Sequence, residues 1–182
     1  MTDREAPGSA GSGQTTRPSR AAPVARWLAA ADPPGLLYGA IISATALASA
    51  SLHDDGPTRV AVIALGVVVI YWMADLYVHA LSVRFDGDTR GLVHRLTSAA
   101  FHKVSVIKGG LPAIVVYVLA HATGLESTTA AYVALSFSVV ELTVVGYLGA
   151  RQADTPRRPA LIEGMGAGVL GVVIMVAKSL LH

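Results

Sequence analysis

Tyr71, Asp75 and His79 recur four residues apart, a spacing that stacks a hydroxyl, a carboxylate and a titratable ring on one face of an α-helix. Such a stripe can pass or hold a proton. It follows directly on the apolar run VAVIALGVVVI at 60–70, so its carboxylate stands where hydrocarbon is expected. Two more apolar runs carry the same anomaly, Lys108 in IKGGLPAIVV and Glu141 in VVELTVV, the latter one turn after Ser138. Counting helical rise from the nearest polar boundary, Asp75 lies roughly 13 Å deep, Lys108 about 12 Å and Glu141 about 15 Å, all from the same side. Ionisable groups inside a bilayer are costly unless they face the bundle interior, water or a partner, so three at one level are expected to converge on a pocket.

Two carboxylates against one ammonium leave a surplus negative charge. A proton, a bound cation or a charged His79 must balance it. The residues therefore point to a proton or small-ion transporter or channel. Asp75 and Glu141 would take up the proton or contact the ion, Lys108 would tune them, and His79 and Tyr71 would relay toward the cytoplasm. Glu163, in the first turn of another apolar run, either rims the pocket or favours a helix N-terminus. The competing reading makes the same charges structural: an Asp75–Lys108 pair fixing two helices in a noncatalytic membrane scaffold or partner subunit.

The elements that must position these groups are legible in the composition. Of 182 residues, 53% are hydrophobic and only 14% charged, far below the charged share of a soluble domain. The apolar residues fall in five blocks, about 35–51, 59–82, 101–121, 128–150 and 160–181, close to the roughly 20 residues that cross a bilayer. None alternates with the period of a membrane strand. The fold class is thus an all-α integral membrane protein, a bundle of about five transmembrane helices occupying 34–182. The third helix is expected to be broken near Gly109–Pro112, because Pro112 cannot donate to the carbonyl of Lys108 and two glycines precede it.

Residues 1–33, rich in Gly, Ser, Pro, Ala and Arg, read as a disordered cytoplasmic tail. Arg4, Arg17, Arg20 and Arg26 in that tail, RFDGDTRGLVHRLTSAAFHK at 84–103 and RQADTPRRP at 151–159 put most of the basic residues on one face. Positive charge marks the cytoplasmic side, giving an inside N-terminus and an outside C-terminus, as in a plasma or inner membrane. The first span also resembles a signal-peptide core ending at Ala48-Ser49-Ala50, but about 35 residues precede it, longer than such leaders run. We read it as retained. Gly39, Ser43 and Ala50 would let a neighbour approach closely.

Other chemistry is excluded by what is missing. With no cysteine there are no disulfides or thiolate metal sites, and DGDTRG at 86–91 lacks the acids of a calcium loop. Lys108 argues against a divalent ion between Asp75 and Glu141, so no metal and no cofactor are expected. The arginines serve topology rather than a nucleic-acid face, and no nucleophile constellation suggests an enzyme. The expected partners are the lipid bilayer, a proton or small ion, and a possible second copy through Gly164, Gly168 and Gly171, which fall on one helical face. The cysteine-free background offers a direct check of topology. A cysteine at Ala153 should react with a membrane-impermeant maleimide only from the cytoplasmic face, and one at Glu126 only from outside; the reverse pattern would invert the assignment.

Overall fold

A computed structural model describes residues 32–52, 56–85 and 91–180, with all their side chains except Ser98, Phe101 and His102. Six helices follow one another: α1 (Pro33–Ala50), α2 (Pro57–Phe85), α3 (Leu92–His102), α4 (Val104–Ala122), α5 (Ser127–Gln152) and α6 (Arg157–Leu180). All but α3 are long and apolar enough to cross a membrane, and no strand occurs among the described residues. The protein is an all-α membrane bundle. Of the tail predicted over 1–33, residues 1–31 lie outside the described residues, as do 86–90 of the DGDTRG segment.

Local chemistry sets the helix ends. Pro33 and Pro34 open α1, where their missing or unneeded N–H groups cost nothing and their φ is preset for the helix. Asp32 before them is extended, and its backbone N–H donates to the Ser105 hydroxyl at 3.0 Å, pinning the start of α1 to α4. Gly124 supplies the positive φ, +93°, that turns the chain from α4 into α5.

The expected break in the third span is absent. Helix α4 is continuous from Val104 to Ala122 with Pro112 inside it. The interruption lies earlier, at Lys103, which separates α4 from the short α3. Segment 92–102, read from sequence as loop and span entry, is an amphipathic helix packed on α2. The glycines explain why α4 does not open: they are contact surfaces rather than hinges. A Cβ on Gly109 would collide with the backbone of Leu36, and one on Gly39 with the carbonyl of Val106. Helices α1 and α4 therefore cross with their backbones in contact, as small residues permit in a bilayer.

This crossing makes α1 the centre of the bundle. It packs against α2, α4, α5 and α6. Around it, α2 adjoins α4, α4 adjoins α5 and α5 adjoins α6, whereas α2 and α6 share no packed interface. Four helices thus form an incomplete ring about the fifth. Small residues fill the centre, with Ala40, Ser43 and Ala44 of α1 and Ala130, Ala131 and Ala134 of α5 almost wholly buried. Leu47, Val60, Val68 and Tyr117 pack with those α5 alanines in one core, and the Tyr117 hydroxyl reaches Ser127 at 2.8 Å.

Gly164, Gly168 and Gly171 are consumed by the chain itself. They lie buried against α5, where added Cβ atoms would strike Thr143, Tyr147 and Val139. A second copy cannot use them. The close contacts predict a sharp contrast between glycines. Gly109→Val should destabilise the bundle by more than the 1–3 kcal/mol of ordinary overpacking, because backbone cannot yield as a side chain does, while Gly66→Val, with open space around its Cβ, should be tolerated. Thermal unfolding in detergent measures both, and equal effects would refute the crossing.

Candidate functional site

Helix α2 presents Asp75 one turn before His79, as the sequence suggests, but the partner of Asp75 is new. Its carboxylate lies 3.3 Å from the Lys103 ammonium, at the junction of α3 and α4, with both side chains roughly a quarter exposed. The pair ties α2 to the start of the third span. Lys108, the partner expected from sequence, is exposed on α4. His79 is also exposed. Tyr71 stacks on Tyr38 of α1, ring centroids 6.2 Å apart at 29°.

Glu141 lies on the α5 ridge between Ser138, which is fully buried, and Val145, which packs with Leu36 of α1. Its Oε2 is buried without a hydrogen-bond partner. The hydroxyls near its level turn back on their own helices, Ser138 donating to Ala134 O at 3.0 Å and Ser43 to Ala40 O at 3.0 Å. They leave Oε2 unserved. A buried acceptor without a donor carries the full cost of its lost hydration, which a proton or a cation would relieve.

The predicted convergence of Asp75, Lys108 and Glu141 is not formed. Asp75 and Glu141 belong to α2 and α5, which share no packed interface because α1 and α4 come between them, and Lys103 takes the carboxylate of Asp75. Two of the predicted residues do line clefts, one on each side of α1. Tyr71 borders a space of about 590 Å³ with Ile41, Thr45, Ser49 and Val67. Glu163, exposed, borders one of about 650 Å³ with Pro34, Tyr38, Ile41, Gly149 and Leu170.

Two charged residues escaped the sequence reading. Arg95, counted there as a loop charge, is buried and donates from Nη1 to Ala80 O at 2.8 Å, fastening α3 to α2. Its place four residues before Ala99, on one face of α3, was the available signal. Lys178 is 1% exposed at the opposite end of the bundle. Its ammonium donates to the Ser51 hydroxyl and lies 5.4 Å from the Tyr132 ring centroid, while Ser51 in turn donates to Leu47 O at 2.6 Å. The ammonium thereby sits at the C-terminus of α1, where the helix dipole and exposed carbonyls favour a cation. Its position in the last turn of an apolar helix resembles ordinary end charge, so sequence alone hides it.

The sequence matches no known family model, and no match was found among curated proteins or among solved structures. Function must therefore be argued from these groups. The Lys178 contact is first of all an anchor. Lys178→Ala should cost roughly 2–3 kcal/mol, the scale of a lost charge-assisted bond, and Ser51→Ala about 1 kcal/mol. Denaturant titration in micelles tests the order; an unchanged Lys178→Ala would remove the anchor.

Proposed function

We propose that this protein carries protons or another small cation across the membrane, with Glu141 as the group that takes up the charge. The supporting observation is the Glu141 Oε2, buried without a donor on a helix long and apolar enough to cross a membrane. A carboxylate so placed is stable only when protonated or when a cation replaces the missing partner, and moving between those states is what transport requires. The role is not enzymatic and needs no cofactor. It belongs to a plasma or inner membrane, with the N-terminus in the cytoplasm. Asp75, held by Lys103, serves on this reading to set the geometry of α2 rather than to exchange protons.

That same ion pair favours a second reading, a membrane scaffold or partner subunit whose embedded charges only join helices. Flux through reconstituted vesicles separates the two. Under an imposed pH gradient, Glu141→Gln should reduce proton entry roughly ten-fold or more, the effect of about 1.4 kcal/mol on a barrier, while Asp75→Asn retains most of it. Wild-type vesicles that remain as tight as protein-free ones to protons, Na⁺ and K⁺ would exclude transport and leave the scaffold.

A further inference from the structure

The incomplete ring leaves one side of α1 uncovered between α2 and α6, where Pro34, Tyr38, Thr45 and Ser49 form an exposed stripe. The first half of that stripe borders the cleft of about 650 Å³ that α1 shares with α5 and α6. Its volume is that of a pocket for a small organic molecule. The hollow exists because α5 and α6 line it with small residues, Gly149, Ala153 and Ala167 among them, which cannot fill the space beside Ile41 and Leu170.

The lining holds a single charge. Among the described residues Glu163 alone supplies a carboxylate there, and its side chain makes no hydrogen bond or ion pair with any of them. Arg151, at the end of α5, is engaged by the Thr155 carbonyl at 2.8 Å. The exposed Tyr38 ring borders the same space and is held by its stack on Tyr71. A carboxylate and an aromatic ring both attract positive charge.

Which cation fits follows from what the cleft lacks. A hard ion such as Mg²⁺ or Ca²⁺ gives up its water only for several oxygen ligands, and an ammonium bearing N–H groups needs an acceptor for each. Glu163 and Tyr38 are the only polar side chains in the lining, too few for either. A cation whose charge is surrounded by apolar groups asks for neither. The carboxylate neutralises it, the ring attracts it and the apolar lining takes up its substituents. We propose that this cleft binds a lipophilic organic cation, a quaternary ammonium or phosphonium with apolar substituents, against Glu163 and Tyr38. The site is separate from Glu141 and stands whether or not that residue carries protons.

Binding of tetraphenylphosphonium to the full chain in detergent, followed by equilibrium dialysis, tests this with no proton flux in the measurement. Wild type should bind it saturably, and tetraphenylborate, the anion of the same shape, should not compete. Glu163→Gln should weaken binding about ten-fold or more, the loss expected of a charge partner in a binding site, while Glu163→Asp keeps most of it. Tyr38→Leu should weaken it about three-fold, in keeping with one exposed cation–π contact. Asp154→Asn, which alters an acid between α5 and α6 that is outside the lining, should change nothing. In nanodiscs the binding that depends on Glu163 should be equal in phosphatidylglycerol and in phosphatidylcholine. Absence of saturable binding, an equal affinity in Glu163→Gln, or competition by tetraphenylborate would overturn the proposal. So would loss of that binding in phosphatidylcholine alone, which would make a lipid choline group the occupant.

Discussion

Backbones of two helices can touch only where neither bears a side chain, and α1 and α4 meet at such a place. Gly39 faces the Val106 carbonyl while Gly109 faces the backbone of Leu36, so neither helix can shift or rotate without collision. In lipid, where apolar burial gives no advantage to helix contact over tail contact, this close packing and its dispersion energy replace the hydrophobic effect. The crossing draws α1 inward, and the other helices arrange themselves about it. The Asp32–Ser105 hydrogen bond at 3.0 Å closes the same interface at the start of α1.

Charge is distributed according to that arrangement. With α1 and α4 standing between α2 and α5, Asp75 lies beyond the reach of α5 and finds Lys103 at the bend between α3 and α4. Arg95 joins α3 to α2 through the Ala80 carbonyl, and Lys178 closes the far end of α1 through Ser51. Each of these contacts joins neighbours in the ring or an outer helix to its hub. Glu141 differs, because its buried oxygen joins nothing. Among the described residues Trp72 Nε1, Arg95 Nε and His121 Nδ1 are likewise buried without a partner, but Glu141 supplies the one carboxylate oxygen in that group.

The outside of the molecule follows from the inside. A ring of four helices about a fifth closes only if its ends meet, and α2 and α6 do not. The chain between them is committed elsewhere: the glycine face of α6 is spent on Thr143, Tyr147 and Val139 of α5, and the buried stripe of α2, Val60, Ala64, Val68, Leu76 and Ala80, is turned into the bundle. The uncovered stripe of α1 is thus a result of how the small residues are allotted.

The sequence by itself determined that this is a membrane bundle of five apolar helices, because length and hydropathy suffice to match a segment to a bilayer. It also placed each charge along its own helix, since rise per residue is constant. It could identify Gly109, Pro112 and the Gly164 face as unusual, but not whether they were hinges, contacts or interfaces, because a glycine has no side chain to declare what it touches. Only the tertiary structure decided which charges meet. Depth is one coordinate, whereas the angle around the bundle depends on which helix takes the centre. That place went to α1, the span with the fewest charges and a small-residue face, so Asp75 and Glu141 were separated, and Lys178 was buried beneath its end.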